Sequence, residues 1–167
     1  MKKIILRDAL PEDFEHILAL NDAEVQQTSA MDFQKLSQLA ALSAYHKVAL
    51  VDDKIAAFLL AMRENTAYQS ENYRWFVARF PQFIYVDRIV VSAEFGGLKI
   101  GSLLYADLFD FARTHAIVMV TCEYNIQPPN LASKKFHDKF GFKEVDTQWV
   151  ANGSKQVSLQ IALVKID

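Results

Sequence analysis

The sequence predicts a mixed α/β fold with a sheet of about seven strands, and three features carry that expectation. Short runs rich in β-branched and aromatic residues alternate with runs whose apolar residues recur at helical spacing. A strand, a glycine-bearing loop, a helix and another strand follow one another in mid-chain, which implies a parallel pair joined by a right-handed crossover. Two turn signals, Asp52-Asp53-Lys54 and Ala151-Asn152-Gly153-Ser154, sit between strand-like runs and read as hairpins. Neither a linker nor an internal repeat interrupts the chain, so residues 1–167 are expected to form a single domain.

Residues 3–7, rich in Ile and Leu, open the chain as a strand. Pro11, Glu12 and Asp13 start a helix, because proline suits a first turn and acids complement the dipole there. Phe14, Ile17 and Leu18 give that helix its apolar face. A second helix is expected over 32–43 with Phe33, Leu36, Leu39 and Ala40 inward, followed by strands at 48–51 and 55–62. From 63 to 82 the strand pattern breaks. Tyr68, Tyr73, Trp75, Phe76 and Phe80 mix there with Arg74 and Arg79 before Pro81, which reads as a short helix with flanking loops. The run at 83–91 is the most strand-prone of the chain.

A helix over about 101–115 places Leu104, Leu108, Phe111 and Ala112 on one stripe, and a strand follows at 117–122. Asn130 caps a further helix running to about Phe140, which Gly141 stops. Strands at 144–150 and 157–164 complete the order β-α-α-β-β-(insert)-β-α-β-α-β-β.

Composition narrows the function classes. Apolar residues make up 51% and charged ones 23%, as in an ordinary globular protein, and no apolar run approaches the roughly 20 residues of a membrane span. The first residues are basic, but the apolar run behind them is too short for a signal peptide. A lone Cys122 suits a reducing, cytoplasmic setting. A net charge of −2 argues against a nucleic-acid partner, yet leaves room for a phosphate cradle built from backbone N–H groups. No metal is expected.

The loop Phe95-Gly96-Gly97-Leu98-Lys99-Ile100-Gly101-Ser102 has the makings of such a cradle. Its glycines permit close backbone approach, and the first N–H groups of the helix that begins near Gly101 have no internal acceptors. Ser102 offers a hydroxyl and Lys99 a point charge. It is neither a P-loop, lacking Gly-Lys-Ser/Thr, nor a dinucleotide fingerprint, and a plain glycine turn is the bland alternative.

Two spaced motifs resemble the GNAT superfamily of N-acetyltransferases. Asp87-Arg88-Ile89-Val90-Val91-Ser92 is similar to that family's fourth strand, and 96–101 falls on its coenzyme A loop, Gln/Arg-x-x-Gly-x-Gly/Ala. Gly101 keeps the last glycine, while Gly96 and Lys99 depart from the first and fourth positions. Further on, Asn130, Gly141 and Phe142 match the pattern Asn-x-x-Ala-x-x-x-Tyr-x-x-x-Gly-Phe, with Ser133 standing for Ala and His137 at the Tyr position. The resemblance, to an uncharacterised bacterial branch, covers nearly the whole chain. It implies a mostly antiparallel sheet with helices on both faces and a splayed central parallel pair.

The resemblance also implies acetyl-coenzyme A as cofactor and direct acetyl transfer to an amine. Ile89, Val90 and Val91 would run beside the pantetheine arm; Gly96, Gly97, Leu98, Lys99, Ile100, Gly101 and Ser102 would hold the phosphates; Asn130, Ser133 and His137 would complete the cofactor contacts. His137 would act as general acid in place of the family tyrosine. A general base is needed because a lysine-like amine, of pKa about 10.4, is neutral in only about one part in a thousand at pH 7. Asp87 and Glu123 are the candidates, against the alternative that each is ion-paired. Cys122 reads as core rather than nucleophile. Tyr73, Arg74 and Trp75 in the insert are candidates for binding an acceptor amine of a small molecule, amino acid or peptide. A non-catalytic coenzyme A-binding module is the competing reading, and the late strands leave room for a homodimer.

Overall fold

The computed structural model describes residues 1–166. In chain order it comprises β1 (Ile4–Asp8), a 3-10 turn (Pro11–Asp13), α1 (Phe14–Ala23), α2 (Phe33–Leu42), β2 (Tyr45–Val51), β3 (Lys54–Arg63), α3 (Glu71–Val77), β4 (Ile84–Val91), a 3-10 turn (Ala93–Phe95), α4 (Ile100–Thr114), β5 (Met119–Gln127), α5 (Leu131–Asp138), β6 (Lys143–Val150) and β7 (Lys155–Leu163). The strands form a seven-stranded sheet in the order β1-β2-β3-β4-β5-β7-β6. β4 and β5 run parallel, with Ile84 opposite Val120 and Tyr85 opposite Thr121, as the mid-chain crossover demands. The β1–β2, β2–β3, β5–β7 and β6–β7 pairs are antiparallel. No helix among the described residues is long and apolar enough to cross a membrane.

Contacts divide the chain into two compact units. The first joins Met1–Met62 with Val86–Asp110, and the second joins Arg63–Tyr85 with the chain from Phe111 onward. In the first unit the alternation of β2 sends successive side chains to opposite faces. Tyr45 and Lys47 point to α4, where the Tyr45 hydroxyl and the Lys47 ammonium both donate to Asp107 Oδ2, at 2.7 and 2.6 Å. His46 points the other way, its ring 6.2 Å from Phe14 of α1. Helices therefore cover both faces, over a core of Ile17, Leu36, Leu39, Phe58, Leu60, Leu104 and Leu108. Phe33 departs from the expected inward set. At the first position of α2 it is 61% exposed, with its ring edged against Phe14 at 5.8 Å.

In the second unit the insert folds as α3, whose Tyr73 and Phe76 pack on Tyr85 at 5.5 and 5.9 Å between ring centroids. β5 continues to Gln127, well past the end expected at Cys122. The polar residues Glu123 and Asn125 break the apolar pattern there, but the ladder with β7 pairs them with Leu159 and Val157 and carries the strand on. The β6–β7 hairpin turns through Ala151, Asn152 and Gly153, all with positive φ. Gly141, at φ +79, follows α5 as the left-handed stop.

Candidate functional site

Within the first unit, β4 leads into the glycine loop. Ser92 caps the 3-10 turn by accepting the Glu94 N–H at 3.3 Å, and the Gly96 N–H closes it on Ala93 O at 3.2 Å. Gly97 then takes φ +82, and a Cβ built there meets nothing within 4 Å, so its backbone faces open space. The ladder of α4 begins with the Leu103 N–H on Lys99 O at 3.1 Å. The N–H groups of Ile100, Gly101 and Ser102 precede it and lie at the positive end of a helix dipole. Lys99 sits at the N-terminal boundary with φ 56, a left-handed conformation that glycine adopts without strain. These residues fit an anion of pyrophosphate type.

Asp87 is engaged in structure. Its Oδ2 accepts Arg88 Nε at 2.7 Å, and both side chains are under 5% exposed (3% for Arg88 and 4% for Asp87). Arg88 Nη1 also donates to Asn21 Oδ1 at 3.0 Å and to Ser29 O at 3.1 Å, and Nη2 donates to Ser29 Oγ at 3.2 Å. The pair thus fastens the segment after α1 to β4. Of the two readings open for Asp87, the geometry supplies the ion pair.

Within the second unit, Glu123 Oε1 accepts the Tyr85 hydroxyl at 2.8 Å, and Oε2 is buried. Tyr73, expected at the acceptor, is instead 1% exposed and spent on folding. Its hydroxyl donates to Arg63 O at 2.8 Å and accepts the Thr66 N–H at 2.9 Å, closing the insert on itself. Arg74 is exposed on the same helix. Trp75 is half-buried, with the Arg79 guanidinium 4.0 Å above its ring.

α5 lies on the other face of β5. Asn130 Oδ1 accepts the Ser133 N–H at 3.1 Å and caps the helix. His137 is buried between Tyr124 and Phe142, with ring centroids 5.5 and 5.2 Å away. Its Nδ1 lies 2.7 Å from Ser133 O and 3.2 Å from Ser133 Oγ. A carbonyl only accepts, so Nδ1 carries the hydrogen and the neutral ring keeps a lone pair on Nε2. Burial pushes the His137 pKa below its ordinary value. Burial thus favours the uncharged ring, and the general-acid role expected of His137 calls for a proton that this form does not carry on Nε2.

Two tyrosines escaped the sequence reading. Tyr85 was visible only as a strand residue, since nothing in the spacing ties it to Glu123. Tyr124 is held by Gln160, whose Nε2 donates to its hydroxyl at 3.1 Å and to Ser158 Oγ at 2.6 Å; Ser158 in turn donates to Glu144. The phenol accepts from Gln160 and is also hydrogen-bonded to Ser158. Burial, first, raises its pKa above the ordinary phenol value. No group of three or more His, Cys, Asp or Glu among the described residues is placed to hold a metal.

A family model described as "Acetyltransferase (GNAT) family" matches residues 6–142. No curated protein matches the chain by sequence. Solved structures do match in fold. Ard1 from Thermoplasma volcanium superposes with TM-score 0.79 at 14% identity, over 97% of this chain and 98% of that one. Arabidopsis thaliana Naa50, solved in complex with the bisubstrate analogue CoA-Ac-MVNAL, gives 0.72 at 17% identity, over 95% and 97%. YncA of Salmonella typhimurium, a putative acetyltransferase solved with its cofactor acetyl-CoA, gives 0.71 at 17%, over 97% and 94%.

Proposed function

The chain belongs to the acetyltransferase (GNAT) family, and from that premise we propose that it acetylates a primary amine of a small molecule, amino acid or peptide. It is an acyltransferase, and acetyl-coenzyme A is its cofactor. Bound, that cofactor supplies a thioester carbonyl carbon open to attack by nitrogen.

In the first unit, the N–H groups of Gly97 to Ser102 and the Lys99 charge are assigned to the cofactor's pyrophosphate, and the backbone of Ile89, Val90 and Val91 to its pantetheine arm. A dipole-aligned set of N–H groups neutralises phosphate with little side-chain charge, which agrees with a chain of net charge −2. In the second unit, Glu123 is the proton acceptor for the amine. It is preferred to Asp87, whose carboxylate is committed to Arg88. Tyr124, whose pKa burial raises, keeps its proton near neutral pH and is the second candidate, beside His137, for general acid to the departing sulfur. Asn130, Ser133 and His137 shape the first turns of α5. Arg74 and Trp75 remain assigned to the acceptor side, and Arg74 suits an acceptor that also carries a carboxylate.

The family match over 6–142 carries this reading. Thiol release from acetyl-coenzyme A, measured with polyamines, free amino acids and peptide N-termini, tests it. Amine-dependent release that falls about 100-fold or more in Glu123→Gln is expected. Tight coenzyme A binding without acetylation of any acceptor would instead favour a non-catalytic binding module.

A further inference from the structure

Thr121 presents an anomaly that the assigned roles leave unused. It is 0% exposed, and its Oγ1 has no hydrogen-bond partner among the described residues. Buried hydroxyls are seldom left so, because an orphaned one has given up its water and gained no bond in return. Its surroundings are not apolar throughout. Thr121 stands opposite Tyr85 in the parallel register, and Glu123 follows two residues later, on the same face of β5. Tyr85 is itself 0% exposed and donates to Glu123 Oε1 at 2.8 Å. Two residues along a strand span about 6.6 Å. Two hydrogen bonds of about 2.8 Å meeting at one oxygen cover most of that distance.

We propose that Thr121 and Glu123 hold one ordered water between them, and that Tyr85 and Thr121 are positioning residues for proton acceptance by Glu123. Internal waters occupy such places when two or more polar groups converge, which a hydroxyl and a carboxylate on one face provide. The inference rests on the reading of Glu123 as the base. The water receives one proton from the acceptor nitrogen and passes one to the carboxylate, so its own composition is unchanged. Other titratable and charged groups on the elements packed against this face include Tyr73, Glu71 and Arg74 on α3 and the Arg63–Glu64 pair before β4, whose Glu64 Oε2 accepts the Phe83 N–H. On β6, Asp146 lies across Leu159 from Glu123, and Lys143 across Ile161 from Thr121. In the register, Tyr85 stands opposite Thr121, two residues before Glu123 on the same face.

The test follows the Glu123 carboxyl by carbon NMR of glutamate-labelled protein, alongside the pH profile of acetyl transfer. Each positioning group favours the charged carboxylate, so Tyr85→Phe and Thr121→Val should each raise the midpoint by about one pH unit. Thr121→Ser, which restores the hydroxyl, should return it. The acid limb of kcat/KM should move with the midpoint. A midpoint unchanged in Thr121→Val, with the variant merely more stable, would overturn the proposal, because an idle orphan hydroxyl predicts that outcome. Failure of the base assignment reads differently: Glu123→Gln would then stay fully active, whatever the NMR midpoints do.

Discussion

Glu123 and Tyr124 are neighbours in the chain, and β5 turns their side chains to opposite faces of its sheet. Glu123 meets Tyr85 on the face covered by α3, while Tyr124 meets Gln160 and His137 on the face covered by α5. One strand step thus separates a carboxylate from a phenol, and strand periodicity keeps the two from hydrogen-bonding each other.

The two roles predict different kinetics. Glu123→Gln should lower kcat most at acidic to neutral pH and be partly relieved at high pH, where more amine is already neutral. Tyr124→Phe should lower kcat by about tenfold with little change in that pH dependence, since one hydrogen bond of about 1.4 kcal/mol is at stake. Steady-state pH profiles of both variants check this.

Lys99→Gly should stabilise the protein. Lys99 holds φ 56, and a left-handed residue with a β-carbon costs about 1 kcal/mol that glycine avoids. The melting temperature should rise by about 2–4 °C in a chain of this length. Coenzyme A should meanwhile bind more weakly if Lys99 holds its phosphates as assigned; calorimetric titration reads that directly.

The helix-capping loop, the hairpins and the parallel pair were legible because each rests on local chemistry: glycine or asparagine at a left-handed turn, and a helix between two strands. What lay beyond the sequence was register and orientation. Tyr85 and Glu123 meet only because β4 and β5 align, and no local pattern encodes that alignment. The motif located His137, but only the 2.7 Å contact with Ser133 O reveals which ring nitrogen holds the hydrogen. Tyr73 read as a candidate for the acceptor side, although its hydroxyl is consumed by Arg63 and Thr66. Phe33 fitted a helical stripe, yet one helix terminus too early to be covered.

Arg88→Met should destabilise strongly, by about 3–5 kcal/mol, because it removes the guanidinium beside the buried Asp87 and releases Ser29 and Asn21. The double replacement Asp87→Leu with Arg88→Met should recover much of that loss. Urea unfolding of the three proteins decides it. If Asp87 were the base instead, Asp87→Asn would abolish turnover while leaving stability near that of the wild type.

Acid should weaken the fold through His46. Burial pushes its pKa down from 6.5 to about 4, and Nε2 has no hydrogen-bond partner among the described residues. Between those values the unfolded chain takes up a proton that the folded one refuses, so stability falls as pH drops from 6.5 towards 4. The loss is at most about 3 kcal/mol, and the lowered pKa of His137 acts in the same direction. His46→Gln should show a shallower decline over that window in urea unfolding.

β6 closes the strand order at one end, and residues Lys143 to Thr147 are exposed on both of its faces. Such a border is an invitation to sticky self-assembly, since any extended peptide can lengthen the sheet there. Lys143, Glu144 and Asp146 crowd that margin with charge, and the irregularity between Glu144 and Asp146 spoils its straightness. Charge and irregularity of this kind discourage edge-to-edge pairing, and here they come from a few side chains far along the chain from the glycine loop.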